Sequence, residues 1–166
     1  SAVLVRTASH ALLYDAGPQY SVESDAGHRV LVPLLRTLGE RLDTVVLSHR
    51  DLDHTGGARA VLDMQAQAAL SSSLEPGHAL VQQRPGTRCE AGQRWQWDGV
   101  DFEVLHPQAA DYGAAGAKKS NALSCVLRIG SAHGTHALLA GDIETAQESR
   151  LVSTGAPLRA DWLLVP

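Results

Sequence analysis

The sequence predicts a single α+β domain in which two β-sheets form a sandwich with helices outside. Stretches typical of strands alternate with stretches typical of helices over the whole 166 residues. Apolar residues make up 44% of the chain but aromatic residues only 4%, so we expect a core of Leu, Val and Ala. We find neither an internal repeat nor a low-complexity linker, and we therefore expect one domain over residues 1–166.

In the N-terminal half, apolar and β-branched runs predict four strands, at residues 2–6, 11–14, 44–47 and 68–70. Residues 19–27 are polar and predict a loop. Helices are predicted at residues 30–38 and 58–67. Pro33 lies in the first turn of the earlier helix, where its missing N–H costs little, and Gly39 suits its C-cap.

In the C-terminal half, period-two patterns separated by glycine-containing turns predict strands at residues 79–82, 94–97 and 101–105. Residues 122–129 and 136–140 are predicted to form a hairpin. A helix follows at residues 144–152, and residues 161–165 predict a final buried strand. No apolar run approaches the roughly 20 residues that span a bilayer, and residues 1–5 lack the features of a signal peptide.

Residues 48–57 carry the strongest chemical signal: two imidazoles and two carboxylates within six residues, ending in a glycine pair. In an extended segment His49, Asp51 and Asp53 would share one face, and His54 would join them as the chain turns. Such a set of donors is typical of a site for divalent cations. The alternative is a polar loop that caps a helix with Asp53 or Thr55, but it explains one carboxylate and neither histidine.

This motif resembles the His-x-His-x-Asp-His signature of the metallo-β-lactamase fold, with Asp51 in place of the second histidine. The variant is similar to the C-terminal domain of ComEC-type DNA-internalisation competence proteins. Further segments resemble that domain in the same order, at residues 12–18, 89–107, 121–124 and 138–144. The resemblance implies an αββα fold, a supporting role for Asp15 and a bridging metal ligand in Asp142.

For the site, the resemblance implies two divalent metal ions, Mn²⁺, Mg²⁺ or Zn²⁺. His49 and Asp51 would hold the first ion, Asp53 and His54 the second, and Asp142 would bridge them. Asp53 could also accept a proton from the attacking water, which makes it the candidate catalytic residue. An aspartate in place of a neutral histidine makes the site harder and favours Mn²⁺ or Mg²⁺ relative to Zn²⁺.

The usual fold supplies one more histidine between the first cluster and Asp142, and its Gly-His-Thr pattern is absent here. His106 or Asn121 could stand in for it. The alternative for His106 is a structural histidine that fixes its loop. Ser124 completes the family's Asn-x-x-Ser strand and is a further candidate for support. We interpret the other histidines as surface residues: His10, His28, His78, His133 and His136.

The resemblance implies a nuclease that degrades the DNA strand that is not imported, with single-stranded DNA as the partner. The parent would be a bacterial inner-membrane protein, and this soluble domain would lie on the periplasmic side, joined to a membrane channel. Two alternatives stay open: a metallo-hydrolase acting on a thioester, lactone or lactam, and a non-catalytic domain that guides DNA or binds a partner. We expect the sequence to be a fragment, with an incomplete metal site. It starts within the family's second strand and stops before a His-His-Gly-Ser segment.

The net charge of −4 argues against a broad electrostatic surface for nucleic acid, although two divalent cations would neutralise it. Lys118 and Lys119 are the only two lysine or arginine residues adjacent to each other in the sequence. We expect a solvated loop there rather than a phosphate contact. Cys89 and Cys125 lack metal-like spacing. We expect Cys125 to be a small buried hydrophobe, although an oxidising compartment would permit a disulfide.

Overall fold

The structure, a computed structural model, describes residues 1–113 and 119–164. The chain divides into two compact units, Ser1–Arg88 and Cys89–Pro166, and each is described by itself below. The expectation of one domain stays a prediction. Lys118, and Val165 at the end of the predicted final strand, lie outside the described residues.

The first unit is built on a five-stranded sheet with the order β1-β2-β5-β6-β7. Its strands are β1 (Val3–Arg6), β2 (Ala11–Tyr14), β5 (Thr44–Leu47), β6 (Ala69–Ser72) and β7 (Thr87–Arg88). β1 is antiparallel to β2, whereas β2, β5, β6 and β7 run parallel. The carboxyl ends of the parallel strands therefore meet at one edge, where α/β sheets usually place their functional residues.

The helices of the first unit are α1 (Val32–Leu38), α2 (Leu52–Thr55), α3 (Ala58–Met64) and α4 (Ala79–Gln83). A π-helical turn, Gly27–Leu31, leads into α1. As predicted, Pro33 lies in the first turn of α1 and Gly39 ends it, with a left-handed φ of 60°. Leucine, valine and alanine side chains from the sheet and from α1, α3 and α4 form one apolar core.

The second unit contains a five-stranded sheet with the order β12-β11-β10-β9-β8. Its strands are β8 (Arg94–Trp97), β9 (Val100–His106), β10 (Val126–Gly130), β11 (His136–Leu139) and β12 (Trp162–Leu164). Short 3₁₀ turns lie at Ala109–Gly113 and Asn121–Leu123, and α5 spans Thr145–Ser153. A capping box between Glu144 and Gln147 starts α5, which explains why the sequence marked this helix clearly.

Three sequence predictions are wrong. Residues 79–82 form α4 rather than a strand, because His78 caps a helix by accepting the Leu80 N–H at 3.2 Å. The polar segment 19–27 is not all loop, since β3 (Gln19–Ser21) and β4 (Ser24–Asp25) pair as a small hairpin. The last strand is not buried, because β12 is the edge of its sheet and Trp162 is 72% exposed.

The two cysteines form a disulfide, Cys89–Cys125, whereas we expected Cys125 to be a small buried hydrophobe. Both residues are fully buried, so the expected burial is found together with a covalent link. Within residues 1–113 and 119–164, the helices are too short or too polar for any of them to cross a membrane.

Candidate metal centre

The histidine–aspartate motif lies at the carboxyl end of β5, beside the end of its parallel neighbour β2. The chain stays extended only as far as Asp51, whose φ of −65° and ψ of 142° make it the N-cap of α2. Asp53 and His54 therefore lie on a helical turn, and the predicted extended face shared by His49, Asp51 and Asp53 is wrong. The physical reason is local, since the Asp51 carbonyl accepts the N–H groups of His54 and Thr55 and starts a helix.

The capping interpretation of the motif is wrong too. The N-cap is Asp51, not Asp53 or Thr55, and its side chain makes no capping hydrogen bond. The Thr55 hydroxyl instead donates to the backbone carbonyls of Asp51, at 3.1 Å, and Arg50, at 3.3 Å. The carboxylates of the motif are therefore not used to cap the helix that contains them.

Asp15 supports the motif from the end of β2. It is fully buried and has a left-handed φ of 59°, which aspartate tolerates better than most residues. Its Oδ1 accepts the Ser48 backbone N–H at 2.7 Å. Its Oδ2 accepts the Ser48 hydroxyl at 2.8 Å and lies 2.7 Å from Nδ1 of His54. One buried carboxylate therefore fixes both ends of the motif.

These contacts determine which nitrogen of each imidazole carries the proton. A carboxylate only accepts, so Nδ1 of His54 must donate to Asp15. The single hydroxyl proton of Ser48 is also given to Asp15, so the Ser48 oxygen accepts from Nδ1 of His49, 3.0 Å away. In this assignment the lone pair of each ring is on Nε2. This arrangement is typical of metal-binding histidines, whose other nitrogen is held by a carboxylate or hydroxyl.

Each Nε2 faces a carboxylate of the motif. Nε2 of His49 lies 3.6 Å from Oδ2 of Asp51, and Nε2 of His54 lies 3.4 Å from Oδ2 of Asp53. One ring nitrogen of His49 lies within 4.8 Å of one ring nitrogen of His54. Metal–ligand bonds of about 2.0–2.2 Å place neighbouring ligand atoms roughly 3.0–3.5 Å apart. The two nitrogen–oxygen pairs therefore fit divalent cations in both donor type and spacing.

Burial differs between the two kinds of ligand. The rings of His49 and His54 are buried, whereas the side chains of Asp51 and Asp53 are 45% and 65% exposed. The imidazoles are thus held rigidly by the core, and the carboxylates face solvent and can adjust to an incoming cation.

The glycine pair lets the backbone pack closely behind the motif. A Cβ on Gly56 would lie 2.1 Å from the backbone nitrogen of Gln19 and 2.4 Å from the carbonyl carbon of Pro18. A Cβ on Gly57 would lie 2.3 Å from the backbone nitrogen of Gly27. The start of α3 and the β3–β4 hairpin could not approach each other in this way with any larger residue.

Asp142 belongs to the second unit, in the turn that follows β11. Gly141 adopts a left-handed φ of 57° just before it. The Asp142 backbone N–H donates to the hydroxyl oxygen of Ser124 at 3.1 Å, and Ser124 is fully buried. Ser124 therefore fixes the backbone of this turn, and the assignment of Asp142 as a bridging ligand stays a prediction.

His106 makes a hydrogen bond with each of its ring nitrogens. Its Nε2 donates to the Ala122 carbonyl at 2.8 Å, and its Nδ1 accepts from Nη2 of Arg150 at 3.1 Å. Both ring nitrogens are thus used within the second unit, which favours the loop-fixing alternative, and the idea that His106 supplies the missing ligand stays a prediction.

The second unit holds His106 in its neutral form. Burial is the main cause that lowers the pKa of His106, and the charge of Arg150 acts in the same direction. The hydrogen bond to Ala122 and the charge of Asp111 oppose this shift without reversing it. Burial would raise the pKa of Asp111, but the hydrogen bonds and charge of Arg150 contribute to lowering it overall.

Asn121 begins the 3₁₀ turn Asn121–Leu123 and is partly buried. Its backbone carbonyl accepts the N–H of Ser124 at 3.0 Å. This contact involves the backbone, so a role of the Asn121 side chain in metal binding stays a prediction.

Comparison with known proteins places these features in a family. Residues 1–69 match the family model described as the metallo-beta-lactamase superfamily. The competence protein ComA of Neisseria gonorrhoeae is 39% identical over 155 residues, which cover 90% of this chain and 19% of that protein. The recombination protein 2 of Haemophilus influenzae is 31% identical over 153 residues, which cover 92% of this chain and 18% of that protein.

The chain is a metallo-β-lactamase domain of the ComEC type. The resemblance drawn from the motif is thus confirmed. A metallo-β-lactamase of Cronobacter sakazakii with a HARLDQ motif shares the fold, with a TM-score of 0.67 at 18% identity. The match covers 99% of this chain and 70% of that one. The predicted α+β metallo-β-lactamase fold class is therefore confirmed as well.

The chain spans about a fifth of the length of the two curated relatives named above. Relatives within the metallo-β-lactamase superfamily include hydrolases. A hydroxyacylglutathione hydrolase of Aeromonas salmonicida is 29% identical over 110 residues, which cover 66% of this chain and 39% of that protein.

Ser48 is the functional residue that the sequence reasoning missed. It belongs to the motif, and its N–H and hydroxyl link Asp15 to the imidazole of His49. The signal that could have revealed it is its position, because it directly follows a buried strand, and Asp15 directly follows the parallel neighbour of that strand.

Proposed function

We propose that this chain is a metal-dependent phosphodiesterase domain that cleaves single-stranded DNA. The observation that carries the proposal is the pairing of two Nδ1-anchored imidazoles with two solvent-facing carboxylates. His49 and Asp51 would hold one divalent cation, and His54 and Asp53 a second. We keep Asp142 as the bridging ligand that the family resemblance implies. Mn²⁺ or Mg²⁺ suits the carboxylate-rich donor set better than Zn²⁺ does.

Bound divalent cations supply Lewis acidity and lower the pKa of water at such a site. The residues of the chain do the rest. Asp15 and Ser48 keep the proton of each imidazole on Nδ1 and orient both rings. Asp53, the more exposed of the two motif carboxylates, accepts a proton from the attacking water.

The biological setting is also a proposal. Competence proteins among the relatives support a role in DNA uptake, with degradation of the strand that is not imported. We place the domain on the periplasmic side of the bacterial inner membrane, joined to a membrane channel in the same polypeptide. The buried Cys89–Cys125 disulfide supports this location, because disulfides persist in oxidising compartments.

The test is digestion of a labelled single-stranded oligonucleotide in Mn²⁺ by the purified parent polypeptide of this proposal, with elemental analysis of bound metal. We expect about two equivalents of metal and an Asp53→Ala variant that loses at least about 100-fold in cleavage rate. Its fold should survive, because the Asp53 side chain is 65% exposed. Asp63→Ala is the matched control, since Asp63 is an exposed aspartate on the next helix whose carboxylate accepts from Gln83.

Cleavage that persists in Asp53→Ala would contradict the catalytic assignment. A folded chain that binds no metal and cuts no DNA would favour the non-catalytic alternative, a domain that guides DNA or binds a partner. The similarity to a hydroxyacylglutathione hydrolase supports a second candidate, hydrolysis of a thioester. Turnover of a hydroxyacylglutathione without cleavage of DNA, under the same conditions, would favour that candidate.

A further inference from the structure

The connection between β9 and β10, residues 107–125, is fastened to the rest of the second unit at several described points. The Cys89–Cys125 disulfide holds its far end, and both cysteines are fully buried. The Tyr112 hydroxyl donates to the Cys89 carbonyl, so the same cysteine also fastens the near part of the connection. The connection ends beside a residue that matters to the proposed site.

That residue is Ser124, the neighbour of Cys125 in the chain. Its hydroxyl oxygen accepts the backbone N–H of Asp142 at 3.1 Å, in a fully buried position. A displacement of Cys125 would move Ser124, and the turn that presents Asp142 would lose its hydrogen-bond acceptor. The disulfide is therefore one residue and one hydrogen bond away from a proposed metal ligand.

A second clamp acts on the same connection from α5, which starts three residues after Asp142. Arg150 on α5 donates to both carboxylate oxygens of Asp111, at 2.8 and 2.7 Å, and also to His106. His106 in turn donates to the Ala122 carbonyl at 2.8 Å, two residues before Ser124. This His106–Arg150–Asp111 cluster ties the helix after Asp142 to the loop that holds Asp142.

We propose that the Cys89–Cys125 disulfide and the His106–Arg150–Asp111 cluster are positioning elements that hold Asp142 through Ser124. The affinity of the site for divalent cations then depends on a disulfide that touches no metal ligand directly. This inference rests on the proposed function, because Asp142 is a ligand only in that proposal. Residues that hold a metal ligand without touching the metal typically contribute 10–100-fold to metal affinity.

The test measures the dissociation constant for Mn²⁺ by electron paramagnetic resonance, and the free energy of unfolding in EDTA separately. We expect Ser124→Ala and the Cys89→Ala/Cys125→Ala double variant each to weaken Mn²⁺ binding by about 10–100-fold. A merely structural role would lower the free energy of unfolding but leave the affinity of the folded chain unchanged. If the double variant fails to fold, Ser124→Ala still decides.

Ser131→Ala is the matched control, because the Ser131 hydroxyl accepts backbone N–H groups from His133 and Thr135 in a turn of the same unit. It should leave Mn²⁺ affinity unchanged. Asp142→Ala separates the two levels of the proposal. If Asp142→Ala weakens binding while the Ser124 and cysteine variants do not, the positioning inference is overturned and the proposed function stands. If the wild-type chain binds no Mn²⁺, or Asp142→Ala has no effect on binding, the inference is overturned because its premise, a metal site that includes Asp142, is wrong.

Discussion

Replacing Asp15 with asparagine should reverse the proton position on His54. Asparagine has nearly the shape of aspartate and tolerates the left-handed φ of 59° found here, so the backbone should be retained. Its carbonyl oxygen can still accept the Ser48 N–H, which now lies 2.7 Å from Oδ1. Its NH₂ group, however, would replace the oxygen that lies 2.7 Å from Nδ1 of His54. An N–H facing another N–H is repulsive, so the ring should move its proton to Nε2.

Metal binding would then require the proton to return to Nδ1 without an acceptor for it. The lost interaction is one hydrogen bond to a charged group, worth about 1.5–3 kcal/mol. This corresponds to roughly 10- to 150-fold weaker binding of Mn²⁺ or Zn²⁺, within a factor of two of the 10–100-fold cost usual for such partners. Isothermal titration calorimetry measures the affinity, and ¹⁵N NMR of the imidazole nitrogens reports the proton position.

The matched control is Asp43→Asn, because Asp43 also accepts a backbone N–H, that of Ala11 at 2.9 Å, in the same unit. It should change neither metal affinity nor the NMR signals of His54. Unchanged affinity in Asp15→Asn, with the proton still on Nδ1, would refute the role assigned to Asp15.

Two further predictions concern stability. Gly56→Ala should destabilise the chain by about 1–3 kcal/mol or more, because its Cβ would meet the backbone of Gln19 and Pro18. Gly77→Ala should leave the free energy of unfolding unchanged, because a Cβ at Gly77 would meet open space. Equal urea midpoints for the two variants would contradict the close backbone packing at Gly56. Burial lowers the pKa of His106 in the folded chain, so the unfolded chain takes up a proton first as the pH falls below 6.5. The contribution of the neutral His106 ring to the free energy of unfolding is therefore full above pH 6.5, and it is lost as the pH falls from there towards the pKa of His106 in the folded chain. Urea titrations should show that stability depends less on pH in His106→Gln than in the wild-type chain. An unchanged pH dependence would contradict the neutral buried ring.

The sequence was most informative where local chemistry and local structure coincide. The motif residues, the strand before them and the glycine pair after them follow one another in the chain, so their proximity needs no knowledge of the rest of the fold. No pattern in the sequence indicates the parallel pairing of β2 and β5, although the family resemblance implies the supporting role of Asp15. Ser48 was missed because its task exists only once that pairing is formed.

Errors arose where tertiary context decides between similar local patterns. The segment Ala79–Gln83 has one buried apolar residue, Leu80, and period-two features, which a short helix and a strand can both show. This segment is a helix because the His78 side chain accepts the Leu80 backbone N–H and caps it. The final strand is apolar in sequence, but apolarity does not reveal that β12 lies at the edge of its sheet.

The disulfide illustrates a different limit. Cys89 and Cys125 are 36 residues apart, and nothing in their spacing indicates a contact. Their meeting depends on the approach of the start of β10 to the segment before β8, which is a property of the folded second unit. The same holds for Arg150, whose contacts with Asp111 and His106 join residues at least 39 positions apart.

The central claim is that the imidazoles and carboxylates of residues 49–54 bind divalent cations. Anomalous diffraction from crystals of the chain grown in Mn²⁺ tests it most directly. We predict anomalous peaks within bonding distance, about 2.0–2.3 Å, of Nε2 of His49 and of His54, each shared with the neighbouring aspartate. Well-ordered crystals at saturating Mn²⁺ with no peak at these nitrogens would contradict the account.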